Sequence, residues 1–157
     1  MPLIDEGKKA PAFSLDDQDG KTHKLKDYAG RPVVLYFYPK DDTPGCTTEA
    51  CAFRDAQPDF SKVKAVVLGV SVLDTRSKAK FAKKHGLNFP LLADEDHAVA
   101  DAYGAWQEKS MYGRKYMGVA RITYLIGPDG KVLKRWDKVS PATHADEVLE
   151  QIRSPRT

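Results

Sequence analysis

Val33-Val34-Leu35-Tyr36-Phe37, followed by Tyr38-Pro39-Lys40-Asp41-Asp42-Thr43-Pro44-Gly45-Cys46-Thr47-Thr48-Glu49-Ala50-Cys51, is the stretch on which the rest of the chain is read. The five apolar residues have the unbroken hydrophobicity of a strand buried on both faces. Two prolines, a glycine and Asp41-Asp42-Thr43 then demand a loop. From Thr43 the pattern turns helical: Thr43 can cap with its hydroxyl, and Pro44 suits the first helical position because it has no amide hydrogen to waste. Cys46 falls in the first helical turn. Unpaired backbone N–H groups and the positive end of the helix dipole favour a thiolate there. Gly45 lets the backbone approach a ligand closely. A cysteine at a strand-loop-helix junction stands where open α/β sheets place their reactive groups.

Outward from this unit, Ala12–Leu15 and Thr22–Leu25 flank Asp16-Asp17-Gln18-Asp19-Gly20 and predict an N-terminal hairpin. The helix after Cys46 is expected to end, or kink, before Pro58. Lys64–Ser71 reads as a second buried strand. Thr75–His85, closed by Gly86, reads as a helix on which Lys78, Lys80, Lys83 and Lys84 make a solvated basic face. Phe89–Leu92 is a short strand and His97–Tyr103 a short helix. Polar, basic and aromatic Gln107–Gly118 is expected to be an irregular loop, the longest in the chain. Ile122–Ile126 and Lys131–Trp136 around Gly127-Pro128-Asp129-Gly130 form the clearest hairpin. Thr143 is expected to cap a final helix through Ile152, and Ser154-Pro155-Arg156-Thr157 to fray. This order predicts an α/β fold, a central mixed sheet with helices on both faces and an N-terminal hairpin extension, with residues 1–157 as a single domain.

Composition narrows the function. A length of 157 residues suffices for a core without disulfide staples, and 41% hydrophobic with 30% charged residues is the balance of a soluble globular chain. A net charge of +3 with no basic motif argues against nucleic acid, and no apolar run is long enough for a membrane span. Met1–Glu6 lacks the layout of a signal peptide, so a cytoplasmic location is expected. In that compartment a close cysteine pair is catalytic or metal-binding more often than structural.

Pro39, Thr43 and Cys46 match the Pro-x-x-x-Thr-x-x-Cys signature of peroxiredoxins, and Phe37–Thr47 resembles the PrxQ subfamily, also called bacterioferritin comigratory protein. Phe53-Arg54-Asp55, Phe89–Leu92, Glu108–Gly113 and Tyr116-Met117-Gly118 extend that resemblance over nearly the whole chain. It implies a thioredoxin-like fold and a thiol-dependent peroxidase acting on hydrogen peroxide and organic hydroperoxides, without cofactor or metal. Cys46 would be the nucleophile, oxidised to a sulfenic acid. Thr43 would hydrogen-bond sulfur and peroxide, the Gly45 and Cys46 amides would point at the same oxygens, and Pro39 would shield the thiolate. Arg121, just before Ile122–Ile126, would supply the positive charge; read without the family it is equally a surface arginine. Glu49, on the Cys46 side of the helix, would fix the pose of Arg121, or else be an ordinary exposed helical glutamate.

Cys51 is the resolving cysteine that the resemblance implies, giving a Cys46–Cys51 disulfide re-reduced by thioredoxin or a similar dithiol, in a protein that is a monomer. On an intact helix, residues five apart have Cα atoms about 8.6 Å apart, beyond the reach of about 7 Å for a disulfide. The first turns must therefore unwind in each cycle. There are departures: Val72-Leu73-Asp74 stands where the family has Pro-Asp, and Lys78 where a histidine is common. Rival readings are a zinc site, for which His23, His85, His97 and His144 are too scattered, a thioredoxin-like oxidoreductase, which would want a closer Cys-x-x-Cys, and a redox sensor or chaperone. Tyr38, Trp106, Tyr116 and Met117 are candidates for an apolar wall admitting organic hydroperoxides, and equally for core.

Overall fold

The computed structural model describes residues 1–155; Arg156 and Thr157, the end of the segment expected to fray, lie outside the described residues. The order is β1 (Ser14–Asp16), β2 (Thr22–Lys24), β3 (Val33–Phe37), α1 (Pro44–Asp55), α2 (Gln57–Lys62), β4 (Val66–Ser71), α3 (Thr75–His85), β5 (Leu91–Ala93), α4 (Ala98–Ala102), β6 (Trp106–Met111), β7 (Arg114–Val119), β8 (Ile122–Ile126), β9 (Val132–Trp136) and α5 (His144–Arg153). A short 3-10 turn, Leu25–Tyr28, precedes β3.

Seven strands form one sheet in the order β2-β1-β5-β4-β3-β8-β9. β3 runs parallel to β4 and antiparallel to β8, so the sheet is mixed. Every residue of β3 is buried, as its unbroken apolar run requires. Side chains alternate across a strand, and the core divides accordingly. Val34 and Tyr36 face a cluster with Phe53 of α1, Phe60 of α2, Phe81 of α3 and Val148 and Leu149 of α5. Val33, Leu35 and Phe37 face the other, with Ala100 of α4 and Tyr103. Gly69 of β4 is where the first cluster is tightest: a Cβ there would lie 2.9 Å from the Tyr36 ring. The register sets Phe37 opposite Ile122, which leaves Tyr38 and Arg121 just past the ends of neighbouring strands.

Four expectations are corrected. Gln107–Gly118 is a two-stranded hairpin, β6 with β7, turning at Tyr112 and Gly113, both at positive φ. Its residues are largely exposed on both faces, so no apolar alternation marks them. Thr143 does not cap α5 with its side chain: its backbone is near-helical rather than extended, and the Ser140 carbonyl accepts from the Thr143 and His144 amides instead. Thr43 has the extended backbone of a cap, but its hydroxyl turns back to donate to the Lys40 carbonyl (2.9 Å). Lys78 is fully buried rather than solvated. As expected, α1 ends before Pro58, at Asp55, and Pro58 falls in the first turn of α2, where a missing amide hydrogen is harmless.

Candidate active site

Pro44 opens α1, and Cys46 follows in its first turn. The Gly45 and Cys46 amides are therefore among those an α-helix leaves without an internal partner. The Cys46 thiol is buried and free, and Cys51, one and a half turns on, is half-buried and free. Arg121 reaches this turn from the β8 side. One of its nitrogens, Nη2, donates to Cys46 Sγ at 3.3 Å, and the other, Nη1, donates to Glu49 Oε1 at 2.6 Å. The guanidinium lies against Gly45, where a Cβ would come within 3.2 Å of Nη2. Gly45 thus gives room to the arginine, while its backbone angle makes no demand for glycine.

The structure brings Cys46, Glu49, Arg121 and Gly45 into one cluster; Thr43 is the residue just before α1, its hydroxyl on Lys40, and half-buried Pro39 lies in the loop ahead of it. Glu49 is fully buried, not an exposed helical residue, and its second oxygen has no hydrogen-bond partner among the described residues. Burial pushes its carboxyl from the ordinary 4.5 up to about 7, against the opposing pull of Arg121. Burial would lower Arg121, but Glu49 and Cys46 outweigh it and hold the guanidinium above its usual value.

This arrangement has a consequence for stability. The unfolded chain releases the Glu49 proton near 4.5 and the fold near 7, so between these values the folded state holds the extra proton. Stability should fall as pH rises across that window and lose nothing more on this account above it. Denaturation profiles of wild type and Glu49→Gln from pH 4 to 8 should differ by that slope; parallel profiles would mean that Glu49 is ionised throughout.

Sequence reasoning missed a second cation. The β6/β7 hairpin carries Lys109 to the site, its stem crossing Gly118 with Cδ 3.4 Å from where a Cβ would stand. Burial, then the Arg121 charge, lower the Lys109 ammonium, while Cys46 acts in the opposite sense. The one available signal was Gly118, a glycine inside what proves to be a strand. The proposed apolar wall is not assembled. Tyr38 is core, Trp106 stacks on His97 at 4.1 Å, and Tyr116 and Met117, consecutive on β7, point to opposite faces. Among the described residues, no three His, Cys, Asp or Glu side chains are grouped as metal ligands would be, and no helix is long and apolar enough to cross a membrane.

The AhpC/TSA family model matches residues 6–135. The chain is 46% identical over 150 residues to the peroxiredoxin Bcp of Bacillus subtilis, covering 96% of each. Its fold superposes on the bacterioferritin comigratory protein of Xanthomonas campestris, studied for alkyl peroxide reduction, with a TM-score of 0.89 and 40% identity over 96% of this chain and 98% of that one. A cysteine-to-serine mutant of PrxQ from Xylella fastidiosa gives a TM-score of 0.92 at 35% identity, with 98% of each chain covered. These structures bear out the thioredoxin-like fold.

Proposed function

The chain belongs to the AhpC/TSA family as a peroxiredoxin of the Bcp/PrxQ branch, a peroxidase that reduces hydroperoxides, and from that premise we propose how its own residues do so. The observation that supports the reading is Arg121 bridging Cys46 and Glu49. The Cys46 thiolate attacks the terminal oxygen of the hydroperoxide; the O–O bond breaks, Cys46 becomes a sulfenic acid, and water or an alcohol leaves after taking up a proton. The guanidinium beside the sulfur stabilises charge passing to the oxygens. The Gly45 and Cys46 amides serve the same oxygens. Thr43, whose hydroxyl donates a hydrogen bond to the Lys40 carbonyl, keeps lone pairs to accept the O–H of the hydroperoxide. Pro39 shields the site, and Glu49 fixes the arginine.

Cys51 then resolves the sulfenic acid. Both cysteines lie in α1 with their thiols free. With Cα atoms about 8.6 Å apart on a regular helix, they meet only if α1 unwinds. Gly45, Thr47 and Thr48 are weak helix formers, which lowers the cost. Thioredoxin or a similar dithiol reduces the disulfide. The protein acts as a single-domain cytoplasmic monomer.

Catalytic amounts of protein should consume hydrogen peroxide when supplied with thioredoxin, its reductase and NADPH. Cys51→Ser should keep the first oxidation of Cys46 at the wild-type rate yet lose thioredoxin-supported turnover. Full steady-state activity in that variant would show that a partner thiol, not Cys51, resolves the intermediate.

A further inference from the structure

Lys78 has no part in the chemistry above, yet it is the most buried charge in α3, whose Lys80, Lys83 and Lys84 face solvent. Its side chain is 0% exposed and that of Asp41 2%. Nζ donates to Ser71 Oγ at 2.6 Å and to both Asp41 oxygens at 3.4 Å, and it lies 3.4 Å from the Tyr38 hydroxyl. Asp41 also accepts from Tyr38 OH (2.5 Å) and from Ser77 Oγ (2.7 Å). One carboxylate in the catalytic loop is thus tied directly to Tyr38 past the end of β3 and to the first turns of α3, and through Lys78 to Ser71 at the end of β4. We propose that the Lys78–Asp41 pair is the fixed hinge of the catalytic loop: Lys78 is a positioning residue that holds Asp41 in place while α1 opens beyond Asp42, and so returns Thr43 and Cys46 to the same pose after each cycle. The proposal rests on the Cys46–Cys51 disulfide of the preceding section.

Separating either buried charge from its partner is strongly unfavourable, so Asp41 cannot leave with the helix. The next residue is held differently. Asp42, at φ 59°, meets Lys84 (2.8 Å) and His85 (2.9 Å) at the exposed surface, where such pairs add little. At the far end, Arg54 Nη1 donates to the His85 carbonyl at 2.6 Å, tying that end of α1 to α3 as well. The segment between these two anchors is therefore 43–53, which holds both cysteines and must withdraw Glu49, Ala50 and Phe53 from the core as it opens. Within it the sulfenic acid and the Cys51 thiol condense: an S–S bond forms, the S–O and S–H bonds break, and water leaves. The sulfenic sulfur is reduced as the thiol is oxidised.

Hydrogen exchange, read peptide by peptide in reduced and hydrogen-peroxide-oxidised protein, tests the hinge directly, with the 46–51 disulfide verified by mass spectrometry. Residues 44–53 should lose protection on oxidation while 75–85 and 33–41 keep theirs. Lys78→Met should slow the oxidation of Cys46 about tenfold or more, since small displacements of reacting groups cost up to about a hundredfold. The sulfenic acid, trapped with dimedone at timed intervals, should still close to the disulfide at least as fast as in wild type. Asp41→Asn combined with Lys78→Met removes both charges and keeps an acceptor for Tyr38, so it should restore oxidation; it also serves if the single variant does not fold. The hinge is overturned if 75–85 opens together with 44–53, if Lys78→Met is oxidised at the wild-type rate, if its two steps slow by the same factor, or if the folded double variant stays slow. A missing 46–51 disulfide would instead remove the resolving reading, and the hinge with it.

Discussion

Cys46→Ser should abolish peroxidase turnover and leave the fold standing. The substitution exchanges sulfur for a slightly smaller oxygen at a buried position, so α1 and its packing through Glu49, Ala50 and Phe53 have little reason to change. The chemistry has every reason to fail, because a hydroxyl is a far weaker nucleophile toward peroxide oxygen than sulfur and has no sulfenic acid to form. Cys51 is no substitute: it lies five residues further along α1, and the hydrogen bonds of Arg121 go to Cys46 and Glu49 in the first turns. Peroxide consumption should drop to the uncatalysed background while thermal unfolding and circular dichroism stay close to wild type. Turnover near the wild-type level in this variant would transfer the nucleophile's role to Cys51 and dissolve the site as described.

Arg121→Ala should be the next most damaging change. It removes the donor 3.3 Å from the sulfur and the partner 2.6 Å from Glu49 together. Loss of one donor that acts on a developing charge costs about 10²–10³ in rate, about 2.7–4 kcal/mol. The cost in stability should be smaller. The abandoned Glu49 carboxyl is already pushed up to about 7 by burial and can take a proton rather than remain a lone buried charge. Arg121→Lys should fall between, since an ammonium restores the charge but cannot span sulfur and carboxylate as a planar fork does. Single-turnover oxidation of Cys46 by hydrogen peroxide measures the rate, and chemical denaturation the stability. An alanine variant oxidised as fast as wild type would reduce Arg121 to a structural partner of Glu49.

Much of this was legible in the chain because the deciding signals are local. The apolar run Val33–Phe37, the Thr43-Pro44 start of a helix and the turn Gly127–Gly130 each specify their own element, and β3, α1 and the β8/β9 hairpin follow. What escaped depends on partners distant in sequence. Lys78 reads as one lysine in a basic run, and only Asp41, 37 residues away, and Ser71 make its burial tolerable. Lys109 reads as part of a polar loop because neither face of its hairpin is packed in a core, so periodicity is silent. The hydroxyl of Thr43 donates back to the Lys40 carbonyl rather than accepting from a helix amide, a choice between a nearby acceptor and a nearby donor that composition does not rank.

The register of β8 on β3 has a consequence for the protein as it is made. Arg121 lies 75 residues after Cys46. At a synthesis rate of about 5–20 residues per second, the thiol precedes its guanidinium by about 4–15 s. During that interval Cys46 is an ordinary cysteine in an unfinished sheet, with no fixed cation beside it. On the proposed reading of the site, the nascent chain reaches the oxidant-sensitive state only when β8 has docked, by which time α3, which carries Lys78, has already been synthesised.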